Sequence, residues 1–142
     1  PSNRPFKPLW VHPPALGTSL QMYGMARILL LIHQPAAGGY LEYLSRDKII
    51  TECIDLIGGI AMKLTDDASR LMSSQCLCAA GLYCTDPTKR ECIAELISSH
   101  SAHTGWPSKA FNHQYLRIQP RTKHEILSSC RKDRTQTQRW LL

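Results

Sequence analysis

The stretch IITECIDLIGGIAMKL, residues 49–64, decides the fold class of this chain. Its apolar side chains recur every three or four residues, so that they lie on one face of an α-helix. They are Ile49, Ile50, Cys53, Ile54, Ile57, Ile60, Ala61 and Leu64. Ser45 offers an N-cap, and the pattern therefore predicts a helix over residues 46–64. Gly58 and Gly59 inside it each cost about 1 kcal/mol relative to alanine, which indicates that a neighbouring helix approaches closely there.

The segment before this helix carries the signals of another one. Thr18 and Gln21 have the spacing of a capping box, in which the glutamine reaches back to the Thr18 backbone. The residue before Pro35 is pushed out of the helical region, so the signals predict a helix over residues 19–33. Its second half is apolar all round, which is typical of a buried helix rather than a surface one.

Two more helices are predicted after the first stretch. Thr65 is the expected N-cap of a helix that ends near Tyr83. Its second half is nearly all apolar or small, as expected of the central helix of the fold. The next helix begins at Asp86 and Pro87, a capping residue followed by a proline in the first turn. Gly105 is the expected residue at its end.

The rest of the chain carries weaker helix signals and no strand signals. Trp106 and Pro107 predict the start of a fifth, shorter helix that runs to about Ile118. The spacing of Thr122 and Glu125 is that of a second capping box, which predicts a weak helix through Cys130. No sustained apolar/polar alternation is present. The predicted fold is therefore all-α, an antiparallel array of about five helices.

Length and charge predict how the chain is organised. With 142 residues it is long enough for one domain with a hydrophobic core. We expect an extended, proline-rich lead-in at 1–17, a helical domain at 18–118 and a basic tail at 119–142, for which the alternatives are disorder or the weak helix through Cys130. The net charge is +6, and its positive part lies at the two ends, with +3 in residues 1–27 and +5 in residues 117–142, while the middle is mildly acidic. Basic ends are typical of solvated tails, whereas a nucleic-acid footprint is normally a patch on the folded body.

Composition also predicts the compartment. No run approaches the roughly eighteen uninterrupted apolar residues of a membrane span, and we expect no membrane contact. The chain opens on Pro-Ser-Asn-Arg-Pro, without a start methionine or a secretory signal, and this predicts a segment of a longer polypeptide. Most cysteines lie in apolar, helix-patterned segments, which favours reduced, buried thiols inside the cell. They are Cys53, Cys76, Cys78, Cys84, Cys92 and Cys130.

Residues that carry chemistry do not form a recognisable site. Cys76 and Cys78 point about 200° apart on a helix, so they do not grip one metal ion together. His100 and His103 are able to share a helix face, but a metal site there would still need Cys92 or another ligand to converge with them. Cys84 is nearest a loop, without a paired histidine or acid. Nothing resembles a nucleophile elbow or a phosphate-binding loop. We therefore predict no catalytic, cofactor-binding or metal residues, and no enzyme activity.

One alternative is a small, basic, helical protein that binds nucleic acid on its own. Basic side chains near the end of the chain would contact phosphates, and Trp140 would stack on a base. These basic residues are Arg117, Arg121, Lys123, Arg131, Lys132, Arg134 and Arg139.

Several segments in a fixed order resemble the fungal-specific transcription factor domain. The first is ARILLLIHQP at residues 26–35. The others are IGGIA at 57–61, SQCLCAAG at 74–81, the helix start from Asp86 to Arg90, and the segment ending in TGWP from His100 to Pro107. The lead-in PFKPLW at 5–10 is also similar to the stretch upstream of the first helix in that family. The resemblance covers residues 5–116, and the region after Gln119 departs from the family pattern.

The resemblance implies a role in transcription regulation in the nucleus. This chain would be the C-terminal regulatory and interaction part of a sequence-specific RNA polymerase II factor. The family binds DNA and zinc through an N-terminal binuclear cluster built on C-x-x-C pairs, and this sequence contains no C-x-x-C. The chain itself would hold no cofactor and would contact DNA only through the absent cluster. Its implied partners are other proteins or a second copy, bound through the helical surface, and an unidentified small-molecule effector.

Overall fold

A computed structural model of the chain describes residues 5–35 and 38–107. This part contains four helices and no strand, which confirms the predicted all-α class for the described residues. The helices are α1 (Pro14–His33), α2 (Gly39–Ala61), α3 (Asp67–Tyr83) and α4 (Pro87–Thr104). The helices predicted after Trp106 and the basic tail lie outside the described residues.

α1 begins at Pro14, earlier than the capping-box spacing predicts. The prediction of a capping box was wrong, because both of its residues lie inside the helix. The Thr18 hydroxyl donates to the Pro14 carbonyl oxygen at 3.2 Å, and Gln21 is fully buried. Pro14 is suited to the first turn because its missing N–H has no helical acceptor there.

α2 also begins earlier than predicted, and the expected N-cap, Ser45, lies within the helix. The Glu42 carboxylate accepts from the Gly38 backbone N–H and pairs with Arg46. These local bonds stabilise the first turns before Ser45 is reached. The helix ends at Ala61 rather than at residue 64. Directly after it, the Lys63 N–H donates to the Ile60 carbonyl oxygen at 2.9 Å, which closes a tighter turn.

The ends of α3 and α4 follow local capping chemistry. Asp66, not the expected Thr65, caps α3 by accepting from the Ser69 N–H at 2.9 Å. The predicted cap of α4 is confirmed, since Asp86 accepts from the Thr88 N–H at 2.9 Å. Gly105 ends α4 in the left-handed region with φ of 70°, also as predicted.

α3 is the central helix, because it packs against each of the other three. α1 and α2 run antiparallel, with Gly17 near Ile60 and Leu31 near Arg46. The core that they enclose is a single cluster of buried apolar side chains. It contains Phe6, Ile28, Cys53, Ile54, Ile57, Ala61, Cys76, Leu77, Ala80, Cys84, Ile93 and Ile97.

The lead-in, not a neighbouring helix, is what approaches Gly58 and Gly59. The Phe6 ring lies where a Cβ on Gly58 would be 2.8 Å from its carbon atoms. The Leu9 N–H donates to the Gly59 carbonyl oxygen at 2.9 Å, and a Cβ on Gly59 would be 2.6 Å from the Lys7 carbonyl oxygen. The two glycines therefore leave the space in which the lead-in attaches to α2.

Candidate interaction surface

The face of α1 that points away from the other helices carries large apolar side chains. Leu16, Tyr23 and Leu30 are 49%, 58% and 71% exposed. They are spaced seven residues apart. An exposed small or polar residue follows each of them three residues later and lies on the same face of the helix. We call this row the outer stripe of α1; its members are Leu16, Ser19, Tyr23, Ala26, Leu30 and His33. The expectation that this helix is buried all round was therefore wrong.

Two glycines lie on the opposite, buried face of α1 beside Gln21 and Ile28, and they are the points at which α2 comes closest. A Cβ on Gly17 would lie 3.2 Å from Ile60 Cγ2, and one on Gly24 would lie 3.4 Å from Ile57 Cγ1. The two α2 isoleucines thus fill the space beside the α1 backbone. Close packing of this kind leaves no room for a leucine or tyrosine between the helices.

A buried polar contact fixes α1 against α2 and α3. The Gln21 Nε2 group donates to the Ile57 carbonyl oxygen at 2.9 Å and to the Ser73 hydroxyl at 3.0 Å. Gln21 Oε1 is buried without a hydrogen bond in the structure. The contact is well suited to setting the rotation of α1, because a misplaced helix would leave these amide hydrogens unsatisfied.

The outer stripe is almost without charge. Arg27 is the one Asp, Glu, Lys or Arg residue in α1, and its guanidinium carbon lies 5.7 Å from the centroid of the Tyr23 ring. This distance is that of a cation–π contact, which keeps the charge at the edge of the stripe. More exposed apolar side chains follow at the start of α2. Tyr40, Leu41 and Leu44 form this hairpin-end cluster.

Judged by length and composition alone, α1 is also long and apolar enough to cross a membrane. It has 20 residues, lies near the N-terminus, and is the one such helix among the described residues. The prediction based on uninterrupted apolar runs did not identify it, because Thr18, Ser19, Gln21 and Arg27 interrupt the run. Its small and polar inner residues contact α2 and α3, so in this structure it packs as one helix of the bundle.

The two histidines considered as metal ligands lie in different environments, one buried and one exposed. His100 is buried on the inner side of α4, and its pKa is lowered, chiefly by burial and further by the nearby Arg70 and His103. A hydrogen bond with the Ala61 backbone opposes this shift. His103 is exposed, and its Nδ1 lies 2.8 Å from the Ser99 carbonyl oxygen. Within residues 5–35 and 38–107, no group of three or more His, Cys, Asp or Glu is placed to hold a metal ion.

The cysteines in the core are not activated as nucleophiles. Burial raises the pKa of the Cys53, Cys78 and Cys84 thiols, and it raises that of Cys76 to about 11. Since the thiolate is the reactive form, these four groups are protonated and weakly reactive at neutral pH. Cys130 lies outside the described residues, as do the basic residues of the nucleic-acid alternative.

An open groove of about 530 Å³ lies between the lead-in, the end of α2 and one side of α4. Glu91, Cys92 and Glu95 line its α4 side, and Pro5 and Met62 lie opposite. The groove lacks the buried, convergent polar groups that orient a small molecule in a binding pocket. The outer stripe of α1 is therefore the stronger candidate for an interaction surface.

A comparison with protein-family models, curated proteins and solved structures found no match for this chain.

Proposed function

We propose that this chain is a regulatory and interaction segment of a fungal, sequence-specific RNA polymerase II transcription factor that acts in the nucleus. DNA binding and zinc would belong to a cluster outside these 142 residues. One observation carries the proposal. Most of the ordered segments that resemble the fungal family occupy positions that hold this bundle together, whereas the ARILLLIHQP segment buries only Ile28 and supplies part of the exposed outer stripe.

The IGGIA and PFKPLW segments are the clearest case, because they are far apart in sequence and in direct contact. Phe6 packs on Gly58, and the Leu9 N–H bonds the Gly59 carbonyl. Two segments that were selected separately by resemblance therefore form one structural unit.

Three further segments occupy the core or the helix ends. SQCLCAAG contributes Cys76, Leu77 and Ala80 to the buried cluster. The segment that starts at Asp86 supplies the N-cap of α4, and the TGWP segment supplies its left-handed C-cap, Gly105. These are packing and capping roles. They suit a module that acts through its surface and its helix packing rather than through catalysis.

The outer stripe of α1 supplies the means of interaction in this proposal. A row of exposed leucine and tyrosine is the kind of surface by which helical modules bind other proteins. Regulation would follow when a partner or effector that binds one packing of the helices shifts the population toward it.

A tethering assay tests the proposal. The full chain is fused to a heterologous DNA-binding domain in a fungal host that carries one reporter with low and one with high basal transcription. We expect the fusion to enter the nucleus and to change the output of at least one reporter relative to the DNA-binding domain alone.

A fusion that carries Gly58→Leu is the control, because the larger side chain would displace Phe6 and disrupt the fold. It should lose the effect at equal protein level. The proposal is wrong if the folded wild-type fusion leaves both reporters at the output of the DNA-binding domain alone.

A further inference from the structure

We propose that the outer stripe of α1 binds the same stripe of a second copy of this chain, with the two α1 helices antiparallel about a twofold axis. The axis passes between Gly24 and Met25, the middle of the stripe. A residue of one copy then faces the residue of the other copy for which the two residue numbers add up to 49.

The spacing of the stripe supports helix pairing. Its six members follow intervals of three, four, three, four and three residues, which is the a/d pattern of a two-helix seam. All six are exposed in the single copy. Leu16, Tyr23 and Leu30 occupy the a positions, and Ser19, Ala26 and His33 occupy the d positions.

The sizes of the side chains support the antiparallel direction. In an antiparallel seam each a residue faces a d residue, so Tyr23 meets the partner's Ala26 and Leu30 meets the partner's Ser19. Leu16 meets the partner's His33 at the two ends. A large side chain thus faces a small one in each of the four central pairs, which fills the seam evenly. A parallel pair would instead oppose Tyr23 to Tyr23 and Ala26 to Ala26, and would leave layers too full and too empty.

The exposed apolar area is close to the area that a stable pair buries. An antiparallel arrangement brings the N-terminal end of the partner's α1 toward the hairpin-end cluster of Tyr40, Leu41 and Leu44. These three and the three large stripe residues are between 43% and 79% exposed. At about 200 Å² for a large side chain, their exposed parts amount to about 700 Å² per copy. A stable interface takes about 800 Å² from each partner.

Charge does not oppose the pairing. The stripe contains no Asp, Glu, Lys or Arg, so no unpaired charge from it would be buried. Arg27 lies beside the stripe, where its guanidinium group contacts the Tyr23 ring and remains at the edge of the seam.

This inference rests on the proposed function only for its biological setting, since it names the partner of an interaction surface. Association of the purified chain and reporter output after tethering are separate measurements, so each proposal can fail without the other.

Sedimentation of the full 142-residue chain over a range of concentrations is the test. We expect a reversible dimer for the wild type. Leu30→Lys should raise the dimer dissociation constant at least about tenfold, and its far-UV circular dichroism should match the wild type because Leu30 is exposed. Ala102→Lys adds the same charge on the exposed side of α4 and should leave the dissociation constant unchanged.

A charge pair distinguishes the antiparallel seam from other contacts. In the double variant Ser19→Glu with Leu30→Lys, each new lysine faces a new glutamate of the partner, so the dimer should be stronger than with Leu30→Lys alone. No such recovery is expected in a parallel pair. A dimer that the second change fails to recover would overturn the proposed direction.

A wild-type chain that sediments as a monomer at about 100 μM would overturn the proposal. The same preparation is mixed with vesicles of anionic phospholipid. A monomer that co-sediments with them, and loses this binding with Leu30→Lys, would assign the stripe to a membrane surface instead. A dimer that Leu30→Lys leaves unaffected would place the contact elsewhere on the chain and would also refute the proposal.

Discussion

The two faces of α1 reverse the arrangement that hydrophobicity alone would suggest. The buried face consists of Gly17, Gln21, Gly24 and Ile28, whereas the exposed face carries Leu16, Tyr23 and Leu30 among its residues. Burial of this helix is therefore set by what the neighbouring helices present. Ile57 and Ile60 of α2 need space beside the backbone, and only the glycine side of α1 provides it.

The same contrast between covered and uncovered residues recurs elsewhere. Phe6 and Trp10 are aromatic residues of one lead-in, and they are 1% and 73% exposed. His100 and His103 are one helical turn apart on α4, yet only His100 is buried. In each pair the residue types are alike and the surroundings differ. The aromatic pair therefore provides a matched experiment.

The largest effect is expected at the lead-in. Phe6→Ala removes a fully buried ring and leaves a cavity over Gly58, so it should lower the free energy of unfolding by about 3–5 kcal/mol. Trp10→Ala should change it by less than about 0.5 kcal/mol. Urea denaturation followed by circular dichroism measures both. Equal effects of the two changes would mean that the lead-in is not packed on α2.

The next effect compares the inner and outer faces of α1 directly. Gly24→Leu places a side chain against Ile57 and should destabilise the fold by about 3 kcal/mol through overpacking. Ala26→Leu adds a similar volume on the outer stripe and should leave the free energy of unfolding within about 0.5 kcal/mol in the monomer. If both variants are equally stable, the rotation of α1 described here is wrong.

A smaller effect is expected from the polar contact under α1. Ser73→Ala leaves an amide hydrogen of Gln21 buried without an acceptor, which should cost about 1–2 kcal/mol. Ser74 bonds only the Arg70 carbonyl oxygen of its own helix among the contacts described, at 2.9 Å. Ser74→Ala should therefore lower the free energy of unfolding clearly less than Ser73→Ala. Thermal unfolding of both variants measures this, and the reverse order would argue against the Gln21 contact.

The smallest effect is a dependence of stability on pH. Because burial lowers the pKa of His100 in the folded state, the unfolded state binds more protons below its usual pKa of about 6.5. The contribution of His100 is complete above that pH and is lost progressively as the pH falls toward its folded-state pKa. Stability should fall less steeply between pH 7 and 5 for His100→Gln than for the wild type. Equal slopes for the variant and the wild type would contradict this assignment.

Predictions from the sequence succeeded where the deciding interactions are local. Asp86 and Gly105 mark the ends of α4 correctly, because a side-chain cap and a left-handed glycine act within a few residues. The predicted starts of α1 and α2 were wrong because local signals allow more than one start. Thr18 and Ser45 are able to cap a helix, but the residues before them are also able to form one, and a capping pattern does not choose between the two starts.

The sequence by itself determined that residues 5–35 and 38–107 are mainly helical, roughly where the four helices of this part lie, and which segments resemble a known family. Only the tertiary structure decided what covers each face. It assigned the space at Gly58 to Phe6 rather than to a helix, and it turned Gln21 inward and Leu30 outward. The physical reason is that periodicity records which residues share a face, whereas burial depends on the shape and hydrogen-bonding groups of residues far away in the chain.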